Sequence, residues 1–389
     1  MSAREVPGMS RRTFMSAGAA GLGAASVAGL AGGCAATGGK AAGGGRGSSA
    51  VTGGGTPAGR GLADTVLKAF QTHRLVGLGE AHSLQNHHDA LTLLLTDPRL
   101  PGVVDDIVVE FGNARYQDTI DRFISGQPVD NAGLSLVWRN TTQSPLATWD
   151  EPVYEQFFRT VRAVNAPLPP GRQIRVLAGD PPLDWSKITS FDQLRAIAGP
   201  QRDIHAASVV EKQVFGKGRR ALLCYGLDHL THGGSLAGLI ERRTGQRPYL
   251  IADFLPLAGD PGGLARKFSQ YPRDTVIPTA GTWLGSVNAG LFSPDIQAGP
   301  NRGRQATRGC GLRLGSHIDA ALYLGQPADL TSSWWNPAIF LDPVYWKELQ
   351  RRNALNPNPV NLDSYRQLDL PTLFPLTKLP ASHECGKAS

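Results

Sequence analysis

Two short motifs of the sequence place a histidine three positions after a glycine, and both also contain an acidic residue. The first, "GEAH", contributes Glu80 and His82, and the second, "GLDH", contributes Asp228 and His229. An imidazole beside a carboxylate is a common pair for moving protons near neutral pH, and neutral imidazole is also a metal ligand. These residue types therefore indicate acid–base catalysis or metal binding.

The first motif also begins like a dinucleotide-binding loop, because in "RLVGLGEAHSLQNHHDAL" a glycine turn separates a predicted strand from a predicted helix. Such a loop needs a small residue where His82 stands, and it keeps negative charge away from the pyrophosphate of the cofactor. Glu80 would face that pyrophosphate. The sequence therefore disfavours nicotinamide binding and favours a catalytic loop.

Two further carboxylates stand where apolar runs end: Glu110 in "IVVEFGN" and Asp180 in "RVLAGDPPLDW". Burying a carboxylate is costly unless it is paired or takes part in chemistry. The structural alternatives are an ion pair with Arg115 for Glu110, and a turn or helix cap before two prolines for Asp180. Because both acids end runs like those before the two motifs, we expect all of these residues to share one site.

The apolar runs that carry these residues are continuous rather than alternating, which is typical of strands covered on both faces. Helical patterns separate them, and alternation of strand and helix predicts an α/β fold with a mostly parallel central sheet flanked by helices. Active sites of such folds lie at the carboxyl ends of the strands. The predicted strands are 74–79, 106–112, 173–179, 220–226, 249–254 and 320–325.

From about residue 256 the chain is richer in proline and tryptophan, and we expect irregular structure that wraps over the sheet. The aromatic residues of its "SSWWNP" and "VYWKELQRR" segments are predicted to pack rather than to form a ligand cage. Residues 61–389 are predicted to form a single α/β domain, with the motif-bearing core at about 74–255. The predicted helices are 61–73, 86–96, 115–125, 151–165 and 191–215, the last broken near Pro200.

Residues 1–34 are predicted to be an export signal. A pair of arginines, Arg11 and Arg12, precedes a weakly apolar stretch rich in alanine and glycine, which resembles a Tat signal. A spanning helix is the alternative, but the stretch lacks the bulky apolar side chains that such a helix needs. "LAGGC" is similar to a lipobox, which implies acylation of Cys34 and a membrane anchor, with ordinary cleavage nearby as the open alternative.

The expected partners therefore include the Tat machinery, and the expected location is periplasmic or otherwise extracytoplasmic. Residues 35–60 lack apolar periodicity and aromatic residues, and are predicted to be a flexible linker. The net charge is +7, but the arginines are scattered rather than clustered, which disfavours nucleic-acid binding. Cys224 is predicted to be a buried thiol, and Cys310 and Cys385 are available for one disulfide.

The two motifs, with Glu110 between them, are similar to the superfamily that unites the erythromycin esterases, the ChaN haem-binding lipoproteins, and the TraB and Tiki proteins. The similarity covers about residues 74–255, and the segment 137–158 is similar to one in the esterase branch. The helical insertion that holds a macrolide in the esterases is largely missing, which disfavours that substrate. No Gly-x-Ser-x-Gly elbow is present, so a covalent serine mechanism is not indicated.

The resemblance implies a hydrolase in which His82 or His229 is the general base on water, while the other histidine and Glu110 orient this water or stabilise developing charge. Glu80 would position an imidazole or transfer a proton. An ester or amide bond of a small molecule or peptide would be cleaved. Arg115, Asp180 and Asp228 are further supporting candidates.

The resemblance leaves the cofactor open. His82, Glu110 and His229 would supply two imidazoles and a carboxylate to zinc, manganese or iron, as the Tiki branch implies, whereas the esterase branch implies metal-free hydrolysis. The ChaN branch implies a haem carrier without catalysis, with His87, His88 or an exposed tyrosine as axial ligand. For His87 and His88 the alternative is a solvated helix start.

Overall fold

Several of these predictions concern segments outside the described residues. The export signal, Cys34, residues 35–59 of the predicted linker, and both Cys310 and Cys385 belong to this group. The computed structural model describes residues 60–145, 148–199, 201–257, 259–292, 312–333, 336 and 338–363.

Eight strands of the described residues form one sheet, and we number them in chain order. They are β1 (Arg60–Gly61), β2 (Leu75–Glu80), β3 (Asp106–Asn113), β4 (Arg175–Asp180), β5 (Ala221–Gly226), β6 (Tyr249–Asp253), β7 (Thr275–Pro278) and β8 (Ala320–Tyr323). Their order in the sheet is β1-β7-β8-β6-β2-β5-β3-β4. The strands from β8 to β4 are parallel, while β7 is antiparallel to both of its neighbours. The predicted α/β fold with a mostly parallel sheet is confirmed.

Helices flank this sheet, and none in the described part of the chain is long and apolar enough to cross a membrane. They are α1 (Leu62–Ala69), α2 (Gln85–Leu95), α3 (Gln117–Ile124), α4 (Asn131–Arg139), α5 (Pro152–Asn165), α6 (Phe191–Ala198), α7 (Gln201–Val209), α8 (Leu236–Thr244), α9 (Leu264–Phe268), α10 (Ala338–Leu341) and α11 (Pro343–Leu355).

Both faces of the central strands are covered, which explains their continuous apolar sequence. Successive strand residues point to opposite faces. Leu78 belongs to a core formed with α1 to α5, whereas Leu75 and Leu223 belong to a second core formed with α7 and α8. Cys224 lies in the first core as a buried free thiol, as predicted.

Each of the six predicted strands occurs within two residues of its predicted ends, but β7 and the short β1 were not predicted. The region after residue 256 therefore contributes more regular structure than expected. The run "TVIP" of β7 is only four residues long and ends in proline, which weakens its strand signal. "VYWKELQRR" lies in α11, where the ring of Trp346 packs against Phe340 with centroids 5.4 Å apart.

Candidate active site

The carboxyl ends of four neighbouring parallel strands bring the main candidate residues together. In the order β2-β5-β3-β4, Glu80 ends β2, His229 follows β5, Glu110 lies in the second half of β3 and Asp180 ends β4. Ligands of open α/β sheets bind at this edge. The structure therefore places these side chains where the chemistry of such folds takes place.

The first motif turns out of β2 so that its imidazole and carboxylate face each other. Nδ1 of His82 lies 2.6 Å from Oε1 of Glu80. Asp253, at the end of β6, accepts a hydrogen bond from the N–H of Ala81 at 3.0 Å, which fixes the turn. The indole of Trp149 packs edge-on against the His82 ring, with centroids 4.9 Å apart. Nδ1 is thus engaged, and Nε2 is left as the nitrogen for chemistry.

The second motif presents its histidine in the same way. His229 ends a short 3₁₀ turn that begins at Leu227, and Asp228 is half-buried in that turn. Nδ1 of His229 lies 2.6 Å from Oδ1 of Asp203, in the first turn of α7, and its Nε2 lies 3.3 Å from Oε1 of Glu110. The site therefore contains a second histidine–carboxylate pair.

Glu110 is the buried carboxylate on which both pairs converge. Its Oε2 accepts a hydrogen bond from the N–H of Gly226 at 2.7 Å. Its Oε1 accepts one from Nε2 of Gln143 at 2.7 Å and forms an ion pair with Arg202. Nε2 of His82 lies 3.9 Å from Oε2. The Nε2 atoms of both histidines are thus directed towards one carboxylate.

The glycine of the second motif has a steric role. A Cβ atom at Gly226 would lie 2.7 Å from Nε2 of His82, closer than van der Waals contact permits. A Cβ at Gly79 of the first motif would meet the Leu227 side chain at 3.1 Å. The two Gly-x-x-His motifs therefore fit against each other at the strand ends.

Glu110 does not form an ion pair with Arg115, which was the structural alternative to a functional role for this acid. Arg115 lies in the 3₁₀ turn after β3 with its side chain half exposed, and its Nη2 lies 3.2 Å from Asp184 instead. Glu110 points towards the carboxyl edge of the sheet, where Arg202 at the start of α7 takes the role expected of Arg115.

Asp180 anchors a loop rather than capping a turn at the prolines that follow it. Its Oδ2 accepts the N–H of Thr142 at 2.9 Å, and its Oδ1 accepts the Thr142 hydroxyl at 2.5 Å. Nε of Arg202 lies 3.6 Å from Oδ1, so Arg202 bridges Asp180 and Glu110. Burial raises the pKa of Asp180 to about 7, although the charge of Arg202 opposes this.

His87 and His88 are buried in the first turn of α2, so the solvated helix start is wrong. Nδ1 of His87 lies 3.0 Å from Oδ1 of Asp253, and Nε2 of His88 lies 3.4 Å from Oε2 of Glu80. Burial lowers the pKa of His88 to about 3, which keeps this imidazole neutral. Both rings are buried next to Glu80, away from solvent. Neither is therefore placed to be an axial ligand to haem.

The two outer imidazoles are held in the protonated state. Burial favours neutral His82, but its hydrogen bond to Glu80 and the charge of Glu110 outweigh burial and raise the pKa of His82 to about 9. In the same way Glu110 and Asp203 raise the pKa of His229 to about 10.

The pKa values of the two glutamates shift in the opposite direction, downwards. Burial would raise the pKa of Glu80, but the hydrogen bond from His82 and the neighbouring imidazole charges lower it to about 2. His229 and Arg202 hold the pKa of Glu110 well below its usual range despite burial. At neutral pH the site is therefore a set of paired charges.

His82, Glu110 and His229, the ligands expected for a metal ion, are not arranged to bind one. Within the described ranges, no group of three histidine, cysteine, aspartate or glutamate side chains is arranged to hold a metal ion. Of the expected ligands, Glu110 has both oxygens engaged, by the Gly226 amide and by Gln143 and Arg202. A guanidinium in contact with the carboxylate also repels a cation.

Five residues of the site were not singled out from the sequence. Segment 137–158 includes three of them, but no sequence pattern there distinguishes those three. Two others follow the helix break predicted near Pro200, but their contacts with the site depend on how α7 packs beside β4. The five are Gln143, Trp149, Tyr154, Arg202 and Asp203.

No family model and no curated protein sequence matches this chain. Among solved structures, a mutant of the erythromycin esterase EreC in its open conformation is similar at 12% identity, covering 68% of this chain and 93% of that one, with a TM-score of 0.43. ChaN of Campylobacter jejuni, with cofacially bound haem, is similar at 13% identity over 50% and 86%, with a TM-score of 0.33.

A protein from Bacillus cereus is similar at 11% identity, covering 70% of this chain and 92% of that one, with a TM-score of 0.42. What these proteins bind or hydrolyse is a property of those proteins.

Proposed function

We propose that this chain is an exported hydrolase in which a histidine activates water to cleave an ester or amide bond of a small molecule or peptide. The observation that supports this most is the convergence of two histidine–carboxylate pairs on Glu110. One pair can remove a proton while the other supplies one, which is the requirement for hydrolysis by acid–base catalysis.

His82 is the proposed general base. Its Nε2 lies 3.9 Å from Oε2 of Glu110, a separation that a water oxygen can bridge with a hydrogen bond to each atom. Unprotonated Nε2 takes a proton from this water as the water oxygen bonds to the carbonyl carbon of the substrate. Glu80 accepts the Nδ1–H of His82 and stabilises the imidazolium that forms.

His229 is the proposed general acid. Its Nε2 lies closer to Glu110 than that of His82, at 3.3 Å against 3.9 Å, so this carboxylate holds the proton of His229 more firmly. Nε2–H of His229 gives this proton to the leaving oxygen or nitrogen as the carbon–oxygen or carbon–nitrogen bond breaks. Exchange with solvent then moves the proton from His82 to His229 and restores the starting state. Arg202 holds Glu110 ionised and in place.

The purified chain is tested with a panel of esters and amides. His82→Gln and His229→Gln each lower kcat by about 10²- to 10⁴-fold, the usual contribution of a general acid or base. His73→Gln is the matched control, because His73 precedes β2 at the opposite edge of the sheet. Turnover that survives in the His82→Gln, His229→Gln double variant would falsify the proposal.

Two measurements on the same preparation separate this mechanism from the cofactor alternatives. If the imidazoles activate water directly, a chelator leaves turnover unchanged. If the chelator abolishes turnover and a transition metal restores it, the mechanism is metal-dependent instead. Stoichiometric haemin binding without any hydrolysis would instead assign the chain to haem carriage.

A further inference from the structure

The loop between α4 and α5, described at residues 140–145 and 148–151, forms one wall of the candidate site. Thr142 donates two hydrogen bonds to Asp180, at 2.9 and 2.5 Å. Gln143 donates to Glu110 at 2.7 Å. Three different parts of the site thus depend on this loop, because Trp149 also packs against the ring of His82.

One arginine of α11 holds the beginning of the α4–α5 loop. Arg352 is buried, and its Nη1 donates to the carbonyl oxygen of Arg139 at 2.7 Å and to Oγ of Ser144 at 2.9 Å. Its Nη2 donates to Oδ1 of Asn140 at 2.6 Å. The planar fork of a guanidinium suits three such acceptors, because its donors are rigidly spaced.

One tyrosine of the same helix holds the other end. The hydroxyl of Tyr345 donates to Oδ2 of Asp150 at 2.5 Å, and Nε of Arg139 donates to Oδ1 of Asp150 at 3.1 Å. The guanidinium of Arg139 also lies over the Tyr345 ring, 4.1 Å from its centroid. Helix α11 therefore contacts the loop on both sides of the residues that reach the site.

We propose that α11 is part of the framework of the active site, with Arg352 and Tyr345 as positioning residues that hold the α4–α5 loop against Glu110, Asp180 and His82. The inference rests on the proposed function for its catalytic consequence, but not for its structural one. An unanchored loop of this length would have to pay conformational entropy to hold Gln143 and Trp149 in place. Misplacement by about 1 Å costs about 10²-fold in rate.

Arg351 offers a matched control for Arg352. It also belongs to α11 and also pairs with Glu348, but it donates to the carbonyl oxygens of Trp185 and Ile188, outside the α4–α5 loop. Both substitutions to glutamine remove one charge from the same helix. A difference between them therefore reports on the loop rather than on α11 as a whole.

The test follows the Cε1–H signal of His82 by NMR in the full chain, assigned with His82→Gln. The edge-on indole of Trp149 shifts this signal by its ring current. Arg352→Gln and Tyr345→Phe move it towards the value of a histidine without an aromatic neighbour, whereas Arg351→Gln leaves it in place. An unchanged signal in folded Arg352→Gln contradicts the inference, as does an equal displacement in Arg351→Gln.

Kinetics then separate the inference from the proposed function. With an active substrate, Arg352→Gln lowers kcat by about 10- to 100-fold while Arg351→Gln stays near the parent rate. If the parent chain hydrolyses nothing but the His82 signal still moves, the function fails and the positioning role stands. Should Arg352→Gln not fold, Arg352→Lys is measured in the same way, and a signal identical to that of the parent overturns the role.

Discussion

At the scale of single residues, His82 and His229 are nearly equivalent, and their surroundings distinguish them. Each places Nδ1 against a carboxylate at 2.6 Å and directs Nε2 towards Glu110. His229 lies closer to Glu110, and its pKa is raised to about 10, against about 9 for His82. The imidazole that loses its proton at the lower pH is suited to act as the base, and the other is suited to act as the acid.

The pH profile of kcat/KM tests this assignment. The base works unprotonated and the acid works protonated, so activity rises as pH rises through about 9 and falls above about 10. Asp203 raises the pKa of His229, so Asp203→Asn moves the limb that reports on His229 to lower pH. A profile without two limbs, or with both limbs unchanged in this variant, would contradict the assignment.

A second residue-scale prediction concerns the glycine of the second motif. Gly226→Ala places a methyl group 2.7 Å from Nε2 of His82 and displaces the imidazole from Glu110. We expect kcat to fall by up to about 10²-fold in a folded protein, because the group that moves is a side chain. Gly171→Ala is the control, since a Cβ there meets nothing within 4 Å. Equal kcat in both variants would contradict the role of Gly226.

At the scale of elements, the sequence predicted six of the eight described strands, and the starts of α1, α2, α3, α5 and α6, to within two residues, but it did not predict α4. Glu80, Glu110 and Asp180 were found because an acid at the end of an apolar run stands out in any single sequence. Arg202 was not found, because its link to Glu110 depends on how α7 packs beside β4. Gln143 lies in a loop without periodicity, so only the tertiary fold shows that its amide reaches Glu110.

The strand at one edge of the sheet, β4, is protected by side-chain amides. Gln117 accepts the N–H of Ala178 at 2.8 Å and donates to the carbonyl oxygen of Val176 at 2.8 Å. Asn165 makes the same pair of bonds with the N–H and carbonyl of Ile174, at 2.8 and 2.9 Å. These amides bond backbone groups that a neighbouring strand would otherwise bond. They therefore disfavour pairing of this edge strand with another chain.

Gln117→Ala therefore leaves two backbone groups of β4 without their partners. We expect the free energy of unfolding to fall by about 1–3 kcal/mol and self-association to increase with concentration, as measured by denaturation and by analytical ultracentrifugation. Gln156→Ala is the matched control, because among the described residues Nε2 of Gln156 makes only a long bond of 3.4 Å to Thr160. If Gln117→Ala stays monomeric with unchanged stability, the edge strand β4 does not depend on these side-chain hydrogen bonds.

At the scale of the whole molecule, the candidate site is assembled from distant parts of the chain. The two motifs, the loop after α4, the start of α7 and, through Arg352, helix α11 all contribute. Such a site forms only when the whole domain is folded. Export by the Tat machinery, which carries folded proteins, is proposed from the N-terminal sequence alone, and the location of the protein tests it.

Substitution of the arginine pair tests export in the full-length chain. Arg11→Lys with Arg12→Lys keeps the charge but removes the paired guanidinium groups, so we expect the folded protein to remain in the cytoplasm. Cys34→Ala is the companion variant: it is still exported, but it leaves the membrane fraction because acylation needs the thiol. Cell fractionation with immunoblotting measures both. Export that persists without the arginine pair shows that another signal directs the chain, and membrane association that persists without Cys34 shows that the anchor is not a lipid on this residue.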